Sequence, residues 1–204
     1  MKTKLLASAV LAALFVAPVQ AQQTYFGLDL GVASVDRDKE LKRTLAGFQD
    51  LVGGAAVSGK LDQSASVFRI HAGHFVMDNL AIEAGYFKTG SYDGTYRVLS
   101  GLAAGTRITS SVEVTGFDIS ANYFIGGFYV KGGLHNSKVD FEFRGPAGTF
   151  SDDESGTGFL FGLGYQGSFS EQLGYRVSYT YMDSIAGESD VNSGNFTAGL
   201  IYKF

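Results

Sequence analysis

The chain of 204 residues contains no cysteine, no tryptophan and only two prolines. Without cysteine there is neither a disulfide framework nor a thiolate metal site. Beyond residue 21, no apolar run approaches the roughly 20 residues of a transmembrane helix, so strands would have to make any membrane crossing. Basic residues are also few, 16 Lys and Arg against 20 Asp and Glu, and the net charge of −4 makes nucleic acid an unsuitable partner.

The amino-terminal segment has the three parts of a secretory signal. Lys2 and Lys4 precede a mostly apolar run over residues 5–17, and small residues follow up to Ala21. This pattern predicts a signal peptide over residues 1–21, cleaved after Ala21 by the Sec export pathway. Residues 22–204 then form one domain with a net charge of about −6, because two lysines are removed.

The rest of the chain is rich in glycine and aromatic residues, with 28 Gly, 17 Phe and 11 Tyr. Apolar residues alternate with small or polar ones, which is the period of a strand between two environments. The alternating segments are residues 25–35, 66–76, 80–87, 112–125, 128–143, 158–168, 174–181 and 194–204. Their number and length predict an all-β fold, an eight-stranded antiparallel up-and-down transmembrane β-barrel.

Short and long connections alternate along the chain. The predicted short turns are residues 77–79, 126–127 and 170–172. The predicted long, polar loops are residues 36–65, 90–111, 144–157 and 182–193. Short periplasmic turns and long surface loops are typical of outer-membrane barrels. Within the first loop, helical spacing of four apolar residues over 41–52 predicts a short amphipathic helix.

Charged residues within the strands lie on the face opposite the aromatic residues. A Lys or Arg facing lipid at the bilayer midplane costs about 2–4 kcal/mol, so these side chains are expected to point inward and pair. The predicted interior polar network is Asp29, Arg69, His71, Glu83, Asp118, Asn122, Lys131, His135, Gln166 and Arg176. Turn lengths predict that Asn122 faces Lys131, Asp118 faces His135 and Gln166 faces Arg176 across neighbouring strands.

Two segments and the aromatic end of the chain resemble the small outer-membrane β-barrels of Gram-negative bacteria, the group of the OmpA membrane domain, OmpX and the opacity-type surface antigens. The segments are Phe-Arg-Ile-His-Ala-Gly at 68–73 and Asp-Asn-Leu-Ala-Ile-Glu-Ala-Gly-Tyr at 78–86. The resemblance implies a monomer in the outer membrane, in contact with lipid and lipopolysaccharide, with Tyr202 and Phe204 as its assembly signal. It also implies a surface antigen, adhesin or envelope-stabilising protein whose four loops meet a host or envelope partner.

Two other functions remain open from the sequence. One is a narrow porin-like channel, although side chains nearly fill the lumen of an eight-stranded barrel. The other is a lipid A-modifying enzyme, for which Asp118, His135 and Ser137 would supply an acid, a base and a nucleophile. Their spacing does not match the expected deacylase pattern, and the acidic run 152–154 lacks the spacing of a calcium loop. We therefore predict no catalytic residue, no metal site and no cofactor.

Overall fold

The computed structural model describes residues 24–35, 56–100, 104–146 and 148–204. Its strands are β1 (Thr24–Val35), β2 (Val57–Leu61), β3 (Ser64–Met77), β4 (Leu80–Thr89), β5 (Tyr92–Val98), β6 (Arg107–Ile125), β7 (Phe128–Gly145), β8 (Gly148–Ser168), β9 (Leu173–Met182) and β10 (Ser193–Lys203). Among the described residues, one 3-10 turn lies at Ile185–Gly187. Within these ranges, no helix has the length and apolar character to cross a membrane. The predicted signal peptide, the cleavage at Ala21 and the helix over 41–52 fall outside the described residues.

Eight of the strands close into a ring, which confirms the predicted barrel. The order is β1, β3, β4, β6, β7, β8, β9 and β10, and every neighbouring pair is antiparallel. Strand β1 completes the ring, because Tyr25 lies opposite both Gly73 of β3 and Lys203 of β10. Closure leaves the membrane-embedded part of the sheet without a free edge, as a strand in lipid requires.

Strands β2 and β5 continue the barrel wall outward. Strand β4 pairs with residues 115–123 of β6, and β5 pairs with residues 107–112 of the same strand. Strand β2 pairs in turn with β5, above the contact between β3 and β4. Together, β2, β5 and the outer parts of β6, β7 and β8 form a five-stranded wall beyond the eight-stranded ring.

The predicted boundaries of the long loops are therefore wrong. Residues 90–111 contain β5 and the start of β6. Residues 144–145 belong to β7 and residues 148–157 to β8, and these two strands stay paired up to Gly145 opposite Gly148. Residues 36–65 include β2, and residues 182–193 include the 3-10 turn. Apolar and polar residues still alternate in the outer wall, but there the apolar residues face inward. The predicted strands had outward-facing apolar residues, so they ended where this polarity changes.

At the opposite end of the barrel, three short connections join neighbouring strands of the ring. They are residues 78–79, 126–127 and 169–172. Gly126 has a φ of 63°, a left-handed conformation that glycine adopts without the clash of a Cβ atom. Outer-membrane barrels usually have their short turns on the periplasmic side, so we expect this end to be periplasmic and the extended wall to lie at the cell surface.

A belt of outward-facing apolar side chains surrounds the ring. We call it the lipid belt, and it includes Phe26, Leu28, Leu30, Val32, Phe68, Ile82, Phe117, Ile119, Tyr123, Phe159, Phe161, Leu163, Val177, Tyr179, Phe196, Leu200 and Tyr202. These side chains are exposed in the isolated chain. An exposed apolar surface of this extent is stable only against hydrocarbon, which fixes the height of the bilayer on the barrel.

Candidate functional site

The structure places all ten residues of the predicted interior network on the inner face of the barrel. Eight of them are buried: Asp29, His71, Glu83, Asp118, Asn122, Lys131, His135 and Arg176. The Arg69 side chain is 12% exposed, and Gln166 is partly exposed. The register sets Asn122 opposite Lys131, Asp118 opposite His135 and Gln166 opposite Arg176. Nine of the ten, all except His135, contact one another and are called the polar core below.

Glu83 on β4 is the centre of the polar core. Its Oε2 accepts hydrogen bonds from Arg176 at 2.6 Å, from the Tyr25 hydroxyl at 2.8 Å and from Asn122 at 3.1 Å. Its Oε1 accepts from Arg69 at 2.8 Å and from Lys131 at 3.4 Å. A buried carboxylate with three cationic partners and a phenol is fully compensated for its loss of water.

A second carboxylate extends the core across the barrel. Asp118 on β6 accepts two hydrogen bonds from Arg69 on β3, from Nε at 2.9 Å and from Nη2 at 2.7 Å. Asp29 lies 3.6 Å from the Arg69 guanidinium. The His71 ring lies between Asp29 and Glu83, 3.2 Å and 3.3 Å from their oxygens, although neither contact has the angles of a hydrogen bond. Three carboxylates thus face three cationic side chains inside one closed ring.

Aromatic and aliphatic side chains close the lumen below the polar core. Tyr25, Ala81 and Ile201 are buried together, with Phe75 and Phe124 packed against them. The Arg176 guanidinium lies 5.4 Å from the centre of the Tyr25 ring, a cation–π distance. Small residues give the long side chains their space, since a Cβ atom at Gly27 would lie 2.3 Å from the His71 ring. The lumen at this height is filled by side chains.

The residues considered for hydrolysis do not assemble into a catalytic site. Asp118 binds Arg69 rather than His135. The His135 Nε2 lies 2.8 Å from the carbonyl oxygen of Asp183, and the Ser137 hydroxyl accepts a hydrogen bond from the backbone N–H of Ala186. His135 and Ser137 therefore hold the segment around the 3-10 turn against the barrel wall.

Beyond the polar core, the inner face of the barrel becomes apolar. The five-stranded wall encloses a cavity of about 890 Å³ that opens outward, called the outer cup below. Its lining includes Tyr92, Ile108, Val139, Phe141, Phe150 and Ile185. These residues were not among the predicted site residues, because most of them lie in segments predicted to be polar loops. The sequence does contain a strand pattern here, because Val139, Phe141 and Phe143 alternate with charged residues as regularly as apolar and polar residues do in the ring.

The outer face of the same wall is charged. Lys88 contacts Glu113 at 3.0 Å, and Lys138 contacts Asp140 at 2.5 Å and Asp153 at 3.5 Å. The hydrogen bond to Asp140 raises the pKa of Lys138 above its ordinary value. Of the acidic run, Asp153 faces outward, whereas Asp152 and Glu154 line the outer cup. Among the described residues, no group of three or more His, Asp or Glu side chains is placed to hold a metal ion.

The two residues predicted as an assembly signal lie at the end of the barrel where residues 78–79, 126–127 and 169–172 connect the strands. Tyr202 belongs to the lipid belt, and its ring centre is 5.1 Å from that of Phe204. The Phe204 backbone N–H donates to the carbonyl oxygen of Thr24 at 3.0 Å. The end of the chain is thus joined to the start of β1, and the role of these residues in assembly stays a prediction.

Comparison with known proteins places the chain among membrane barrels. The attachment invasion locus protein Ail of Yersinia pestis has a TM-score of 0.57 at 15% identity over 91% of this chain and 100% of Ail. Ail in complex with sucrose octasulfate gives 0.53 at 16% identity, over 89% and 99% of the two chains. OprG of Pseudomonas aeruginosa gives 0.48 at 16% identity, over 90% and 97%.

No curated protein matches the chain. The family model for the outer membrane protein beta-barrel domain matches residues 6–204, nearly the whole sequence. The closed ring, the lipid belt and the inward charges are the features that this family requires in a bilayer. The chain belongs to the outer membrane protein beta-barrel domain family and is located in the outer membrane of a Gram-negative bacterium.

Proposed function

We propose that this barrel acts at the cell surface through its outer wall, as an attachment or envelope-stabilising protein. The observation that carries the proposal is the extension of β5, β6, β7 and β8 beyond the lipid belt as a paired sheet with a charged outer face. A barrel that only anchors itself in lipid has no need of this wall. Paired strands hold its side chains in fixed positions, which favours recognition of a partner.

The polar core argues against the alternative of a narrow channel. Glu83, Arg176 and Arg69 occupy the lumen and are joined by hydrogen bonds of 2.6–2.8 Å. An ion or solute could pass only after this network had opened, and each broken contact would leave a buried charge without a partner. In planar bilayers we expect the purified protein to give no steady single-channel openings, and steady openings would favour the channel.

The net charge of the outer wall indicates the chemistry of the proposed partner. The outer regions 56–66, 88–100, 104–115, 136–146, 148–157 and 183–192 contain eleven acidic and six basic residues. Three of the acidic residues, Asp152, Glu154 and Glu188, line the outer cup, so the remaining surface has eight acidic and six basic residues and a charge of −2. Such a surface attracts a basic partner and repels a polyanion. Ail is similar in fold and has been crystallised with an anionic heparin analogue, so the charge of this chain points to a different class of partner.

Whole-cell adhesion tests the proposal. Gram-negative cells with and without the protein should be compared on polylysine-coated, heparin-coated and matrix-protein-coated surfaces, at low and physiological salt. We expect the protein to increase attachment to polylysine and to basic matrix proteins, with a smaller increase at higher salt. The triple variant Asp93→Asn, Glu113→Gln and Glu142→Gln should lose most of the increase.

The matched control removes a carboxylate at the other end of the barrel. Glu171 lies in the short Phe169–Gln172 connection, and Glu171→Gln should leave attachment unchanged. Equal attachment with and without the protein, at equal surface amounts, would contradict a role in attachment. A loss of envelope resistance to detergent in the same deletion strain would then support the envelope-stabilising role.

A further inference from the structure

The outer cup has the size and lining of a ligand site. Its volume of about 890 Å³ falls in the range of small-molecule pockets, and its walls are mainly Val, Ile, Phe and Tyr side chains. Its base is well packed, because Phe87, Val114, Val139 and Met182 belong to one buried cluster. The mouth of the cup is less tightly packed than its base, because Phe150 lines the cup and is 63% exposed. Apolar surface thus continues from the buried base to the opening.

Two polar features of the cup suggest how a ligand would be oriented. The Ser110 hydroxyl is buried in the wall and has no hydrogen-bond partner among the described residues. The Tyr92 hydroxyl is also buried and forms no hydrogen bond of ordinary geometry. Burial raises the pKa of Tyr92 to about 12, and the nearby Ser193 side chain lowers that pKa by a smaller amount. A buried hydroxyl without a partner is costly, and a polar atom of a ligand would remove that cost.

The charged side chains of the cup have a single sign. Asp152, Glu154 and Glu188 line it, whereas its described lining contains no Lys, Arg or His. Asp152 and Glu154 are exposed residues on the inner face of β8, on the part of that strand beyond its pairing with β9. An anionic head group at this position would meet repulsion, while a cationic head group would be attracted.

We infer that the outer cup binds an amphiphile with an alkyl chain and a cationic head group. The head group lies beside Asp152 and Glu154, which stand opposite Phe141 and Val139 of β7. The alkyl chain lies against the apolar side of the cup formed by β5 and β6, along Tyr92, Val112 and Ile108. A fatty acid has the same apolar part but the wrong charge. This site is separate from the attachment surface proposed above, which lies on the opposite face of the wall.

Tryptophan fluorescence tests the inference, because the chain has no tryptophan of its own. Ile108→Trp places a single reporter at the lining of the cup, and Thr109→Trp places one on the outward face of the same strand. Both proteins are inserted into phosphatidylcholine nanodiscs and titrated with 12-bromododecyltrimethylammonium or with 12-bromododecanoate, whose bromine quenches nearby tryptophan. The two reporters stand at almost the same height above the bilayer, so quenching from lipid affects both.

We expect the cationic probe to quench the Ile108→Trp reporter with saturation and to leave the Thr109→Trp reporter near its background. Neutralising two carboxylates, in Asp152→Asn with Glu154→Gln, should weaken this binding by about threefold to tenfold, the range expected for partly exposed ion pairs. The matched control is Asp153→Asn, whose side chain faces outward on the same strand and should leave binding unchanged.

Several results would overturn the inference. Equal quenching of the two reporters would mean that the probe dissolves in the bilayer without entering the cup. Binding of 12-bromododecanoate as tight as that of the cationic probe would contradict the selection by charge, as would unchanged binding after the two carboxylates are neutralised. Because these carboxylates are exposed, their removal leaves the buried parts of the fold intact.

Discussion

The two halves of strand β6 carry opposite polarity on the same face. In the membrane half, Phe117 and Ile119 point outward and Asp118 points into the barrel. In the outer half, Glu113 points outward and contacts Lys88, whereas Val112 and Val114 line the cup. The change occurs at Gly116, and Lys138 and Val139 show the same change on β7.

The surrounding medium, rather than the strand, therefore determines which face of β6 is apolar. Hydrocarbon surrounds the lipid belt, so polar groups must be satisfied inside the barrel. Water surrounds the outer wall, so apolar side chains pack inside it as they do in a soluble protein. The height at which the polarity changes therefore marks the outer boundary of the bilayer on the protein.

The largest expected effect comes from removing the centre of the polar core. Glu83→Ala leaves Arg69, Lys131 and Arg176 without their shared partner inside the membrane half. We expect the free energy of unfolding to fall by about 3–5 kcal/mol, as for other buried pairs that lose one member. Urea unfolding in lipid vesicles measures this free energy.

The control lies in the outer half of the same barrel. Glu113→Ala should lower the free energy of unfolding far less, because the ion pair of Glu113 with Lys88 is about half exposed. Equal losses for the two variants would mean that the polar core is not desolvated.

A charge on the outward face should distinguish lipid from water directly. Ile119→Lys places an ammonium group in the lipid belt, and we expect a loss of about 2–4 kcal/mol in the same unfolding measurement. Thr115→Lys, on the same face but above Gly116, should be nearly neutral. If both substitutions cost the same, the boundary of the bilayer is not at Gly116.

The inner face of the outer half should reject a polar group. Val114→Asn buries an amide among the apolar side chains at the base of the cup, and the expected cost is about 1–3 kcal/mol. Its neighbour Glu113→Gln, on the outward face, serves as the control and should be tolerated. A reversed order, with Val114→Asn the milder change, would indicate that the interior of the outer half is wet.

A smaller effect is expected for Tyr92 at alkaline pH. Burial raises its pKa to about 12, so the unfolded chain ionises first and the folded state loses stability as the pH rises above about 10. Tyr92→Phe removes this contribution and should raise the stability relative to the native protein by about 1 kcal/mol at pH 11, and not at pH 8. Unfolding curves of both proteins at the two pH values test this prediction. An equal difference in the free energy of unfolding at pH 8 and pH 11 would mean that the substitution acts through packing rather than through ionisation.

The sequence predicted the membrane half well and the outer half poorly. Neighbouring strands joined by short turns have a register that can be counted, so Asp118 opposite His135 could be predicted. Side-chain partners across the lumen could not, since Arg69 reaches Asp118 past β4, and His135 turns to Asp183 instead. The outer strands could not be predicted from an outward-facing apolar pattern, because their apolar residues face the interior of the barrel.

The most direct test of the change in polarity is a cysteine scan of β6, which the absence of native cysteine makes simple. Single cysteines at residues 109–123 carry spin labels, and their collisions with oxygen, enriched in lipid, and with a water-soluble nickel chelate are measured in vesicles. The structure predicts that outward residues 117, 119, 121 and 123 collide with oxygen, whereas outward residues 109, 111 and 113 collide with the chelate. Frequent collisions of labels at residues 112 and 114 with oxygen in lipid, or protection of the label at residue 113 from the chelate, would contradict the proposed change in polarity.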